Sequence, residues 1–187
     1  MNIENELNPQ GFDNLAQRIS DSELLDIENH LAKLYLGYLN DFFDGHSFER
    51  NFEEFIKRGL YMASIHFGET KEKAGILLGI GVNKLRNRLI SYFGTSRLNF
   101  YALSDIDRRL YILYKNYFEQ FYADCEIADS SFAEIIDRAM YRAILHFCVG
   151  KKSKACEMLK IGNETLRQRL NVCFAGREQP FSYKKVG

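Results

Sequence analysis

The sequence predicts an all-α protein built from two copies of one four-helix unit. Only two prolines occur in the 187 residues, Pro9 and Pro180, so the long span between them lacks the strongest helix breaker. Apolar and aromatic residues recur at helical spacing through most of that span. A stretch of the first half also returns in the second half, about eighty residues later. Together these observations predict helices throughout and a duplicated architecture.

Composition excludes several classes of protein. A hydrophobic content of 46% is enough for a core and too high for a disordered chain. The apolar runs are too short to span a bilayer, and the acidic N-terminus lacks a signal-peptide core, so we expect a cytoplasmic protein. The cysteines show no C-x-x-C spacing, which favours reduced, mostly buried thiols over a zinc or redox site; they are Cys125, Cys148, Cys156 and Cys173.

The internal repeat is the strongest feature of the sequence. Arg58–Phe67 returns as Arg138–Phe147 at an offset of 80 residues, and upstream Leu31–Phe42 matches Leu110–Phe121 at an offset of 79. After one inserted residue the offset becomes 81, and the remaining matches are Lys73–Gly81 with Lys154–Gly162 and Leu85–Leu89 with Leu166–Leu170. Matching identities within a matching apolar pattern predict a duplication.

Each repeat begins with two long helices. The apolar spacing and the candidate caps predict helices over Leu24–Phe42 (Ser20 with Glu23), Phe52–Phe67 (Asn51 with Glu54), Ile106–Phe121 (Ser104) and Phe132–Phe147 (Ser131 with Glu134). The loops over 44–50 and 123–130 are short, so we expect each pair to form an antiparallel hairpin.

Two short helices end each repeat and predict a helix-turn-helix. They cover about 71–78 and 82–93 in the first repeat, and about 153–159 and 163–174 in the second. Gly79 suits a turn that needs a positive φ, and Lys160 stands at the same place in the second copy. If that position is left-handed, we expect Lys160 to cost on the order of 1 kcal/mol.

The net charge of zero conceals an uneven distribution. Residues 1–67 carry a charge of −7, residues 68–94 carry +3, residues 95–147 carry −2, residues 148–177 carry +5, and residues 178–187 carry +1. The two basic segments coincide with the two helix-turn-helix patterns, which is typical of a localised nucleic-acid footprint.

The repeated pattern A-x-x-L-L-G-I-x-x-x-x-L-R-x-R-L resembles the DNA-binding domain of the Fis family. It stands here as Ala74 to Leu89 and, in diverged form, as Ala155 to Leu170. The resemblance divides the chain into an N-terminal arm (1–19), a first Fis-like repeat (20–94, helix-turn-helix about 70–93), a linker (95–104), a second repeat (105–176, helix-turn-helix about 152–174) and a tail (177–187). The arm and the tail match no family residues, and either could be disordered or could contact partners.

Fis proteins are homodimers with an intertwined helical core, so the resemblance implies a single-chain pseudodimer in which a monomer suffices. It implies binding and bending of double-stranded DNA by a transcriptional regulator or nucleoid-associated protein, in the cytoplasm and without a cofactor. Other DNA-bound regulators and RNA polymerase are the further partners that it implies. The DNA-binding residues carried over are Thr70, Lys71, Lys73, Val82, Asn83, Lys84, Arg86, Asn87, Arg88, Lys151, Lys152, Ser153, Lys154, Asn163, Thr165, Arg167, Gln168 and Arg169.

Within this set Arg86 and Arg167 stand where the family reads bases. The capping Asn of the family is Gly81 and Gly162 here, and the basic end of its last helix is mostly lost, with Ile90, Ser91, Asn171 and Val172 in its place. We therefore expect weaker binding than in the family, a stronger second half and an asymmetric target site.

Two rival interpretations remain. A protein-interaction module that keeps the helical core and has lost DNA binding fits the neutral total charge and the lost basic tail. An enzyme or metal protein is disfavoured, because the equivalent His66 and His146 follow apolar stripes and favour core or loop packing, while His30 and His46 are isolated. No phosphate loop, nucleophile elbow or paired-carboxylate motif is present.

Overall fold

The computed structural model describes residues 21–43, 51–95, 104–122 and 131–177, with side-chain surroundings for residues 25–40, 51–95, 104–119 and 133–177. Over these ranges the chain is all-helical and contains no strand, as predicted. The helices are α1 (Asp21–Phe43), α2 (Phe52–Gly68), α3 (Lys71–Leu77), α4 (Val82–Phe93), α5 (Asp105–Tyr122), α6 (Ser131–Phe147), α7 (Lys152–Leu159) and α8 (Asn163–Cys173). Some expectations concern residues outside the described parts. These are the arm, most of the linker and tail, Ser20, His46, Cys125 and the side chains of Glu23 and Ser131.

Local sequence signals explain where helices begin. The Asn51 side chain accepts a hydrogen bond from the Glu54 backbone N–H at 2.6 Å, which caps α2. The Ser104 hydroxyl accepts one from the Asp107 N–H at 3.2 Å and caps α5 in the same way. Both caps were predicted from the residue types alone.

The long helices pair between the two halves of the chain. Over the described residues, α1 packs along α6 and α2 packs along α5, while α1 with α2 and α5 with α6 make little contact. The expectation of two self-packed hairpins is therefore wrong. A helical stripe such as Leu31, Tyr35 and Leu39 on α1 is fully buried, and the stripe of the other half, rather than its own neighbour in sequence, covers it.

Two buried ion pairs join the halves at equivalent positions. Arg58 on α2 lies 3.1 Å from the Asp107 carboxylate on α5, and Arg138 on α6 lies 2.7 Å from the Glu28 carboxylate on α1. All four side chains are buried. Removing one partner would leave a buried charge uncompensated, so these pairs favour the cross-half pairing over alternatives.

A glycine lets two of the paired helices approach closely. A Cβ built on Gly59 of α2 would stand 2.6 Å from the Leu110 Cβ of α5 and 3.0 Å from its backbone carbonyl carbon. Such distances are far below van der Waals contact, so no larger residue fits unless the helices move apart. Gly59 thus fixes the separation of α2 and α5.

The short helices form two similar helix-turn-helix units on this core. Gly79 has a φ of 62° in the first turn, and Lys160 has a φ of 53° and a ψ of 44° in the second. Lys160 is therefore left-handed, which is the condition under which its side chain is expected to cost stability. The inserted residue lies before α7, where Val149 and Gly150 both have a positive φ, 51° and 72°.

Candidate nucleic-acid interface

The second helix of each helix-turn-helix unit, α4 or α8, is called the recognition helix here. Two leucines hold each of these helices to the core. Leu85 and Leu89 of α4 are fully buried, and Leu166 and Leu170 of α8 are almost fully buried. This i, i+4 spacing turns the opposite face of each helix outward. The predicted contact residues on that outward face are half-buried Val82, exposed Asn83, Lys84, Arg86 and Asn87 on α4, and exposed Asn163, Thr165, Arg167 and Gln168 on α8. The Asn163 side chain also accepts a hydrogen bond from the Cys156 thiol at 3.2 Å.

The preceding helices contribute cations at their N-terminal ends. Thr70 caps α3 by accepting from the Lys73 N–H at 3.2 Å, and Lys71 is half-buried beside it. On the second unit Lys151, Lys152, Ser153 and Lys154 are all exposed, and the Lys154 ammonium lies 5.2 Å from the centre of the Phe147 ring. Lysines at a helix N-terminus oppose the helix dipole, so this cluster is not explained by the stability of α7.

Both recognition helices border one cleft. This cleft has a volume of about 340 Å³, and Lys84 and Arg88 of α4 line it together with Gln168, Arg169 and Val172 of α8. Its remaining walls come from α2 and α6 and include Glu53, Lys57, Asp137 and Tyr141. The two helices therefore lie on the same face of the molecule, where one elongated partner can reach both.

The two candidate base-reading arginines differ in their surroundings. Arg167 is exposed and forms a two-pronged ion pair with Glu164 one turn earlier, with nitrogen–oxygen distances of 2.8 and 2.6 Å. These hydrogen bonds lower the pKa of the Glu164 carboxyl. Arg86 is exposed and makes no ion pair with the residues that the structure describes. An exposed pair is weak in water, so Arg167 can still exchange Glu164 for another anion.

The two arginines that lie two residues further along, Arg88 and Arg169, differ in their surroundings as well. Arg169 pairs with Glu53 of α2 at 2.5 Å and also hydrogen-bonds Tyr141. Burial alone would raise the pKa of the Glu53 carboxyl, but the charges of Lys57 and Arg169 outweigh it and lower the pKa to about 2. The guanidinium of Arg169, one of the predicted DNA-binding residues, is therefore held in a cross-half ion pair. No pattern within α8 signals this, since the partner lies 116 residues away.

Arg88, the counterpart of Arg169, is half-buried at the edge of the same cleft. No carboxylate of the described residues pairs with it. Position 133, which corresponds to Glu53, is Ala133. Among the described residues, Arg88 thus has no ion-pair partner that would compete with an external anion.

The histidines and cysteines of the described ranges do not form a cluster of potential metal ligands. No group of three potential metal ligands occurs there, and His66 and His146 are exposed rather than core residues, with the His66 ring 5.8 Å from that of Tyr111. Reduced thiols were predicted for all four cysteines, and the three that the structure describes, Cys148, Cys156 and Cys173, are free thiols. Burial raises the pKa of the Cys173 thiol to about 12, so it is protonated and unreactive at neutral pH.

Among the helices described, none is both long and apolar enough to cross a membrane. Comparison with known proteins adds no relative: no protein-family model matches the chain, and no curated protein or solved structure is significantly similar to it. The resemblance to the Fis family consequently remains a prediction from the residues.

Proposed function

We propose that the protein binds and bends double-stranded DNA as a single-chain pseudodimer of Fis-like repeats, acting as a transcriptional regulator or nucleoid-associated protein. The observation that carries this proposal is the shared cleft, which puts α4 and α8 on one face. Cations line both helices and the ends of α3 and α7 that precede them. The pairing of α1 with α6 and of α2 with α5 is the arrangement expected of an intertwined core.

In the proposed complex the two recognition helices enter successive major grooves on one side of the duplex. Successive grooves of straight B-DNA are roughly 34 Å apart. Helices that border one cleft lie closer than that, so the duplex must curve towards the protein to meet both. Deformability of the base steps between the two contacts then contributes to specificity.

Salt dependence tests the proposal directly. Phosphate contacts release counterions, and about five of them would weaken binding ~500-fold between 50 mM and 200 mM salt. Fluorescence anisotropy of a labelled duplex measures this slope. A Lys73→Gln/Lys154→Gln variant should flatten it by about two contacts, whereas Lys33→Gln, an exposed change on α1, should leave it unchanged. Binding without a steep slope would refute the proposal.

Bending and asymmetry have their own readouts. Energy transfer between dyes at the two ends of a short duplex should increase on binding if the duplex curves. Sequences selected from a random library should give an asymmetric footprint, because α4 and α8 differ in their outward residues. A strictly palindromic consensus would contradict the pseudodimer with unequal halves.

A protein-interaction module is the second candidate, and one observation favours it. Ile90 of α4 and Val172 of α8 are apolar and exposed, at 45% and 77%, where a DNA-binding face usually carries cations. Exposed apolar residues near the ends of these two helices suit a protein surface better than phosphates. Salt-insensitive binding of a protein partner, with no DNA binding, would support this alternative.

A further inference from the structure

Several equivalent positions beside the central cleft differ between the two halves, among them Lys57 and its counterpart Asp137. Position 53 on α2 is glutamate, whereas its counterpart on α6 is Ala133. On one side the Glu53 carboxylate pairs with Arg169 at 2.5 Å. On the other side Ala133 offers Arg88 no carboxylate, and Asp137, which lines the same cavity as Arg88, pairs with Lys57 instead.

A cavity of about 150 Å³ lies where that anion is missing. Arg88, Lys84 and Ala133 line it, together with the apolar side chains of Leu60, Leu78 and Ile80. It also shares Lys57, Lys84, Arg88 and Asp137 with the larger cleft between α4 and α8, so it is open to solvent through that cleft. A cavity of this volume has room for a molecule the size of benzene.

The charges around the cavity are unbalanced. Lys57 is held at 2.8 Å by Asp137, the carboxylate of the cavity lining, and at 2.8 Å by Glu53, which lines the larger cleft. Lys84 and Arg88 have no such partner among the described residues. The cavity lining therefore combines two cations that have no ion-pair partner among the described residues, Lys84 and Arg88, with apolar side chains and Tyr61.

We infer that this cavity is a binding site for a small carboxylic acid with an apolar body of about benzene size. Its carboxylate pairs with Arg88 and Lys84, in the place that the Glu53 carboxylate takes beside Arg169. Its body lies against Leu60, Leu78 and Ile80. The site exists because Ala133 leaves both the space and the unpaired cation.

Such a ligand would also withdraw Lys84 and Arg88 from other anions. If the proposed function holds, an occupied site weakens the grip of the first repeat on DNA and links DNA affinity to the level of the acid. That consequence rests on the proposed function, whereas the binding itself does not.

Benzoate is a suitable probe for the full-length protein without DNA. A chemical-shift titration to about 20 mM should saturate with a dissociation constant on the order of 1 mM, and the amides nearest Leu78 and Ala133 should shift most. Benzamide, which has the same shape without the charge, and acetate, which lacks the ring, should each bind at least about tenfold more weakly. Equal binding of benzamide, or no shift near the cavity, would overturn the inference.

Two variants test the assigned contacts. Ala133→Glu places a carboxylate opposite Arg88, as Glu53 lies opposite Arg169, and should abolish benzoate binding while raising the melting temperature. Arg88→Met removes the cation and should weaken binding at least about tenfold without filling the space. Benzoate affinity that is unchanged in Arg88→Met would refute the site even if Ala133→Glu failed to fold. Because no DNA is present, a negative result leaves the proposed function untouched.

Discussion

The hydroxyl groups of Tyr35 and Tyr114 hydrogen-bond to each other at an oxygen–oxygen distance of 2.6 Å. The two tyrosines occupy equivalent positions of the repeats, and both are fully buried. Residues that meet their own counterparts lie at a twofold axis, so this contact marks the pseudo-twofold axis of the core. Burial raises the pKa of both phenols well above its usual value, which keeps the pair neutral.

Removing both of these hydroxyls should cost less stability than the sum of removing each one alone. In Tyr35→Phe or Tyr114→Phe the remaining buried hydroxyl loses its partner, and we expect a loss of about 1–3 kcal/mol in the free energy of unfolding. The double variant replaces a polar pair with an apolar one and should lose less than the two single losses combined. Denaturant unfolding of the four proteins in a double-mutant cycle measures this coupling. Additive losses would show that the hydroxyls do not depend on each other.

The periodicity of the sequence predicted which helix faces are buried but not what covers them. Leu31, Tyr35 and Leu39 lie on one stripe, and the structure buries all three. A stripe records only that a face is apolar, so the same pattern suits a hairpin partner and a helix from the other half equally well. The choice between them depends on long-range contacts such as Arg58 with Asp107, which no local pattern specifies.

The candidate site shows the same limit. Arg88 and Arg169 occupy identical places in a repeated motif, and the sequence pattern assigns them one role. The structure separates them because Glu53 reaches one and Ala133 cannot reach the other. This difference lies on α2 and α6, outside the motif, and it takes effect only where the packed helices bring those residues to the cleft.

Glu53 should make the stability of the fold depend on pH. Its pKa of about 2 in the folded protein lies below the ordinary value of about 4.5, so its contribution is fully present above about pH 4.5. The contribution disappears as the pH falls from there to about 2. We expect Glu53→Gln to be less stable than the wild type by on the order of 1–3 kcal/mol at neutral pH, with the difference vanishing near pH 2. Urea unfolding across this range measures the difference.

An exposed carboxylate provides the control for this experiment. Glu119 pairs with Lys115 on the surface of α5, with 53% of its side chain accessible. Because an exposed pair contributes little, Glu119→Gln should change stability by less than about 0.5 kcal/mol at any pH. A pH-independent deficit in Glu53→Gln would mean that its packing, rather than its charge, stabilises the contact.

The turn between α7 and α8 contains a residue that its conformation disfavours. Lys160 is left-handed, with a φ of 53°, where the first repeat has Gly79. Lys160→Gly relieves the steric cost but gains freedom in the unfolded chain, so we expect a net stabilisation of about 0.5–1 kcal/mol. That corresponds to a rise of roughly 1–4 °C in melting temperature for a chain of this length. The matched change Gly79→Lys should lower it by a similar amount, and a fall in both variants would contradict this account.

Arg167 and Arg86 should contribute unequally to DNA binding, with Arg167 the more important. Arg86→Ala removes one cation, and the neutral Asn83 stands three residues before it. Arg167→Ala removes a cation and also leaves the Glu164 carboxylate unpaired, facing the phosphates. If each lost arginine costs about 1–3 kcal/mol of binding free energy, the added repulsion makes the Arg167→Ala loss the larger.

In a Glu164→Gln background the two alanine losses should become similar, and Glu164→Gln alone should tighten binding. Anisotropy titrations at one fixed salt concentration measure all five variants. Equal losses in the wild-type background, or weaker binding by Glu164→Gln, would rule out this role for the Glu164–Arg167 pair.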